Sequence, residues 1–125
     1  MELTTTLPSI DEVRRAAESV YRLMSPTPQY CWPLLCESLG TEVWVKHENH
    51  TPIAAFKART AIVYAEKLLQ REPGTRGLIA ATRGNHGQSV ALAAQRKELP
   101  CIIVVPHGNS VEKNAAMRAQ GAKLV

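Results

Sequence analysis

Aromatic side chains are scarce in this 125-residue sequence: two tryptophans, three tyrosines and one phenylalanine. None interleaves with a basic run, which excludes a stacking platform or a polybasic arm for nucleic acid. Cysteine is scarcer still. Cys31, Cys36 and Cys101 are an odd set without paired spacing, and no apolar leader run precedes them. A reduced cytoplasmic protein is therefore expected rather than a secreted disulfide scaffold. Long apolar runs are missing too, since stretches such as Cys101 to Val105 are far too short to cross a bilayer. Charge is not concentrated: the formal +4 is spread along the chain, so neither a nucleic-acid nor a membrane partner is expected.

Several motifs of site chemistry are also absent. Gly84 and Gly87 stand alone as G-x-x-G, so neither a G-x-G-x-x-G nor a G-x-x-x-x-G-K-[ST] cradle exists. In His47-Glu48-Asn49-His50 the histidines are three apart, not at the i, i+4 spacing of H-E-x-x-H, and no metal is expected. Ser89 and Ser110 lie outside any G-x-S-x-G turn.

What is present is alternation. With 45% hydrophobic and 21% charged residues, the chain has material for one core. Ser9 and Glu12 form a capping-box signature before Ile10, Val13, Ala17, Val20 and Tyr21, predicting a helix that ends near Met24. Pro33 and Gly40 bracket a short Leu-rich helical turn. Glu42 to Lys46 reads as a strand, and His47 to Pro52 as a loop. Ala58, Ala61, Ile62, Ala65, Leu68 and Leu69 make one apolar helical stripe, closed by Pro73-Gly74. Then follow a strand from Leu78 to Thr82, a turn at Gly84 to Gly87, a helix from Gln88 to Lys97 and a strand from Cys101 to Val105. A last helix opens at Asn109 with Glu112, is capped by Gly121, and leads into a strand at Lys123 to Val125. The predicted class is α/β, a mostly parallel sheet with helices on both faces. In such sheets ligands gather at the carboxyl ends of strands.

Two loops there carry unusual chemistry. Phe56-Lys57 falls at a helix start, where the positive end of the helix dipole disfavours an ammonium ion. Lys57 is then either an ordinary exposed lysine or an amine kept neutral to attack a carbonyl, with Phe56 excluding water. The second loop, Thr82-Arg83-Gly84-Asn85-His86-Gly87-Gln88, runs from a strand end into a helix start and presents backbone N–H groups to an anion. Those amides suit a carboxylate, and Asn85 suits a phenolate-like oxygen.

Lys46-His47-Glu48, Phe56-Lys57-Ala58-Arg59 and Gly84-Asn85-His86-Gly87-Gln88 stand in order on matching elements. In these residues, over roughly Pro26 to Val125, the chain resembles the fold-type-II pyridoxal-phosphate enzymes, the tryptophan-synthase-β superfamily. Within it the likeness is to threonine or serine dehydratases, with the pattern K-x-E, T-G-[SA]-F-K-x-R-G and S-x-G-N-H-[AG]-Q. The resemblance implies that pyridoxal 5′-phosphate is the cofactor, Lys57 its Schiff-base lysine, Phe56 a neighbour of its ring and Asn85 a partner of its ring oxygen. It implies that Thr82, Arg83, Gly84, Asn85 and His86 hold the carboxylate of an amino-acid substrate. The implied reaction is dehydration and deamination to a 2-oxo acid and ammonia. Arg83 stands where racemases of the family place a serine base, a role arginine cannot fill at neutral pH. Cysteine and cystathionine synthases share the lysine and asparagine motifs, but His86 is more dehydratase-like.

The resemblance also implies a division. Residues 1–40 correspond to a helical segment of the family's larger domain, and residues 41–125 to an incomplete smaller α/β domain that carries the lysine. The family's glycine-rich phosphate loop and its partner for the pyridine nitrogen match nothing here. The family's T-G reads Ile53-Ala54 and its glycine after the arginine reads Thr60, so strain of about 1–3 kcal/mol is expected in the lysine loop. The competing expectation is a non-catalytic remnant or interaction module, and an uncovered sheet edge and face are expected to drive homo-oligomerisation.

Overall fold

The structure, a computed structural model, describes residues 7–125. The first six positions of the 1–40 segment therefore lie outside the described residues. Helix α1 (Ile10–Tyr21) begins with the expected capping box: the Glu12 N–H donates to Ser9 Oγ at 3.3 Å, and the Ser9 N–H to the Glu12 carboxylate at 2.8 Å. It ends at Tyr21 rather than near Met24, and its stripe is mostly bare. Ile10 and Val13 are exposed, and only the C-terminal end enters a core.

Strand β1 (Gln29–Cys31) pairs antiparallel with β2 (Trp44–Lys46), Tyr30 opposite Val45, in a separate two-stranded ribbon. This corrects two expectations. The Glu42 to Lys46 run does not enter the parallel sheet, and β1 is a strand that the sequence hid, being three residues long and flanked by Pro28 and Pro33. Between them, α2 (Pro33–Leu39) has Pro33 at its first position and closes on Gly40 at φ +65°, a left-handed cap open to glycine. A 3-10 turn (Glu48–His50) then leads to α3 (Lys57–Arg71).

The remainder is the βαβ alternation read from the sequence: β3 (Leu78–Ala81), α4 (Asn85–Arg96), β4 (Cys101–Val104), α5 (Val111–Ala119) and β5 (Lys123–Leu124). The three strands form a parallel sheet in the order β3-β4-β5, with Leu78 opposite Cys101 and Ile103 opposite Leu124. Two helix starts differ from expectation. Ser110, not Asn109, caps α5, its hydroxyl accepting from the Lys113 N–H. Helix α4 begins at Asn85, three residues early, because the first turn of a helix needs no intrahelical N–H partner and so tolerates Asn85-His86-Gly87.

Ile103 and Met117 are fully buried and centre one core between the sheet, α4 and α5, with Ala91, Ala94 and Cys101. A second core joins Val20 and Met24 to Ile53, Ala58, Ile62 and Leu92. Ala61, Ala65 and Ala93 complete the contact of α3 with α4, where small side chains let the helices approach closely. Among the described residues the helical cover lies on one face of the parallel sheet. Ile79, Ile102 and Val104, which alternate to the other face, are exposed.

Candidate active site

Lys57 occupies the first position of α3 and Phe56 its cap, where no side-chain oxygen accepts from the helix N–H groups. The helix instead enters through short-range bonds, Ala58 N–H to Ala55 O and Arg59 N–H to Phe56 O. Upstream, Thr51 Oγ1 donates to Ala55 O at 2.8 Å and accepts from the Ala55 N–H at 2.9 Å, tying off the loop. Within that loop Ala54 has φ +52°, a left-handed conformation that glycine adopts without cost. Strain is thus found at one of the three replaced family positions. Ile53 is a core residue and Thr60 lies inside α3, neither with positive φ.

The Lys57 ammonium lies 5.1 Å from the centroid of the Phe56 ring, a cation–π contact. Phe56 is itself 56% exposed. It gives Lys57 an aromatic neighbour but not the water-excluding cover expected of it.

The second loop is more tightly built. The Thr82 N–H donates to Val104 O, the Gly84 N–H to Thr82 Oγ1 and the Gln88 N–H to Gly84 O, while buried Ser89 donates to His86 O at 2.7 Å. Gly84 and Gly87 are buried, whereas Arg83, Asn85 and His86 are exposed. Gly87 is needed for packing rather than backbone freedom: a Cβ there would collide with Met117 Sδ and lie 2.7 Å from Thr82 Cγ2. A Cβ at Gly84 would press on the Lys113 stem at 3.1 Å. The loop therefore lies against α5, and the N–H groups of Asn85, His86 and Gly87, like the Asn85 side-chain amide, have no partner among the described residues.

A groove of about 480 Å³ runs between α3, β3 and α4. Thr60 and Tyr64 form one wall, and His86, Val90 and Ile79 face them. It brings His86 to the same cavity as the residue one turn beyond Lys57. Lys57, Phe56 and Asn85 stand outside its lining.

Sequence reasoning left one cluster without a role. Arg59 forks onto Glu48, Nε to Oε2 at 2.8 Å and Nη2 to Oε1 at 2.9 Å, and Thr27 donates to Glu48 Oε1. Hydrogen bonds from Arg59, opposed by partial burial, hold the Glu48 carboxyl down at about 2, and Glu48 in turn raises Arg59. A second close contact was also missed: Cys31 and Cys36 bring their sulfurs to 3.3 Å, which raises the Cys31 thiol. Their spacing of five residues matches no sequence motif, and only the β1–α2 corner brings them together. Trp32 Nε1 donates to His47 Nε2 at 3.0 Å, which occupies one of the histidines of the His47 to His50 run. Among the described residues no three His, Cys, Asp or Glu side chains gather as a metal site, and no helix is long and apolar enough to cross a membrane.

Residues 20–125 match the family model described as pyridoxal-phosphate dependent enzyme. Over 119 residues the chain is 32% identical to the L-threo-3-hydroxyaspartate ammonia-lyase of Saccharomyces cerevisiae, covering 95% of this chain and 36% of that one. It is 43% identical over 89 residues to cysteine synthase B of Escherichia coli, covering 69% and 29%. Among solved structures, the processed form of threonine deaminase isoform 2 from Solanum lycopersicum superposes with a TM-score of 0.75 at 32% identity, covering 94% of this chain and 36% of that one. A pyridoxal 5′-phosphate-dependent aspartate racemase superposes with a TM-score of 0.87 at 29% identity, covering 95% and 39%. The chain spans about a third or less of the length of the first curated relatives it matches, 36%, 25% and 18%.

Proposed function

The chain belongs to the family of pyridoxal-phosphate-dependent enzymes, and from that premise we propose that it carries the lysine side of a site that converts a hydroxy amino acid, threonine or serine, to a 2-oxo acid and ammonia. The observation that carries the reading is the pair of helix starts: Lys57 opens α3 and Asn85 opens α4, and these two helices pack on each other through their alanines. The groups offered fit the coenzyme. They are a primary amine beside an aromatic ring, an amide side chain without a partner among the described residues, and the N–H groups of a helix start.

In this reading Lys57 would hold the coenzyme and carry the substrate's α-proton on Nζ, while Phe56 would flank the ring and Asn85 would donate to its oxygen. Backbone N–H groups of Asn85 and His86, with Thr82, Arg83 and Gly84 beside them, would orient the substrate carboxylate. The coenzyme, when bound, supplies the electron sink. The β-hydroxyl leaves as water, and a second water releases ammonia. Arg83 supports dehydration over racemisation because a guanidinium cannot accept a proton as a base. His86 supports it over the synthase chemistry.

The test is to treat the protein with pyridoxal 5′-phosphate, reduce with borohydride and map the modified peptide. A label on Lys57 is expected, and a label spread over other lysines overturns the assignment. The strained Ala54 favours a second reading, in which the chain is a non-catalytic module of the family. Release of 2-oxo acid from threonine or serine by the protein defeats that reading, whereas a Lys57 label without turnover supports it.

A further inference from the structure

Helix α3 opens without the usual local cap: Phe56 has no side-chain oxygen to offer, and the preceding residues include Ala54 in a conformation that costs free energy. Beyond its short-range bonds, the first turn is held by a side chain from outside the loop. The group that touches it is Glu48. Arg59, two residues after Lys57, reaches back to the 3-10 turn after β2 and grips both oxygens of that carboxylate. The pair is about three-quarters covered, with 24% of Arg59 and 22% of Glu48 exposed. Buried Thr27 donates to Glu48 Oε1 at 2.5 Å and accepts from Arg59 Nη2, while Arg59 Nη1 reaches the Tyr21 hydroxyl at 3.4 Å. Lys46 lies 3.9 Å from the carboxylate and donates to Thr27 O. One guanidinium thus ties the start of α3 to the end of α1, the segment after it and the turn beyond β2.

We infer that the Glu48–Arg59 pair is the positioning device for the Lys57 amine, setting the rotation of α3 about its axis and so the direction in which that amine is presented. The inference rests on the reading of Lys57 as the coenzyme lysine. Two residues along an α-helix are about 200° of rotation, so Arg59 grips the side of the turn opposite Lys57. A turn pinned on one side cannot rotate on the other. A slip of about 10° moves an atom roughly 6 Å from the axis by about 1 Å, and a misplacement of that size costs up to about a hundredfold in reaction rate. A bidentate fork resists such a slip better than a single point contact, because both N–H···O bonds share one plane.

Charge and geometry predict opposite results, which makes the inference testable. Removing the anion in Glu48→Gln adds net positive charge at the start of α3, so a purely electrostatic role predicts imine formation no slower than in the unaltered protein. Positioning predicts slower formation. In Arg59→Lys the charge remains but the fork is lost; an electrostatic role predicts no change, and positioning predicts a loss matching that of Glu48→Gln. The rate of Lys57 labelling by pyridoxal 5′-phosphate and borohydride is followed in the protein, both single variants and the double variant, alongside thermal melting. The expected result is a drop of about ten- to a hundredfold in either single variant, with the double variant no worse than the singles. Should Glu48→Gln fail to fold, Arg59→Lys carries the test, since it keeps a cation beside Glu48. Labelling of Lys57 at an unchanged rate in both variants overturns the positioning role alone. Indiscriminate labelling of the unaltered protein overturns the Lys57 assignment and, with it, this role.

Discussion

Ala54 at φ +52° stores a cost of about 1–2 kcal/mol relative to an ordinary conformation. Ala54→Gly removes it at the expense of a more flexible unfolded chain. A net gain of about 0.5–1 kcal/mol is expected, read as a higher urea midpoint with an unchanged slope. Thr60→Gly has the opposite sign, since Thr60 is a regular helical residue and glycine inside a helix is a penalty. Sequence comparison with the family pattern marks these positions alike. Only the backbone distinguishes them: one replaced glycine sits in a left-handed turn, and the other in a helix that any residue can continue. For the same reason Lys57 was legible as a helix-start lysine, but the open position of Phe56 was not, because burial depends on what packs across from it.

Helix α3 was legible from its apolar stripe, since Ala58, Ala61, Ile62 and Ala65 are the residues that become buried, and α4 from its alanine-rich run. The start of α4 was not, because Gly84 to Gly87 carries the composition of a turn, whereas the requirement at Gly87 is tertiary. Gly87→Ala is expected to cost about 1–3 kcal/mol by overpacking against Met117 and Thr82 and to shift the first turn of α4 with its N–H groups. Gly74→Ala is the control, having nothing within 4 Å of the added carbon. Chemical denaturation gives both values, and the amide resonances of Gly84 to His86 report the shift. The β1–β2 ribbon was half legible: Glu42 to Lys46 announces a strand, but a three-residue partner between prolines has no period to detect.

Across the whole molecule, the Glu48 carboxylate meets side chains from α3 and from the segment between α1 and β1, so its titration bears on assembly of the fold. Its folded value, about 2, is below its ordinary value of 4.5, chiefly because Arg59 hydrogen-bonds the charged form. The unfolded chain therefore takes up the proton first. The stabilisation is complete above about pH 4.5 and is lost as pH falls toward about 2. Denaturation midpoints measured across that interval should fall more steeply for the protein than for Glu48→Gln. A residual slope remains from Glu12 and Glu112, both lowered by serine hydrogen bonds. The α/β class was visible in the sequence because β3 to β5 alternate with helices at regular spacing. An uncovered sheet face was expected as well; that Ile79, Ile102 and Val104 are the residues lining it is shown only by the strand alternation in the structure.

The ribbon of β1 and β2 is short, separate from the parallel sheet and exposed along much of its length. Such a piece opens by itself, so its amides should trade hydrogen with solvent long before those of β4. Glu48 lies two residues past the end of β2, and each such opening loosens its hold on Arg59. The amine at the head of α3 would then be held only as steadily as that small ribbon stays shut.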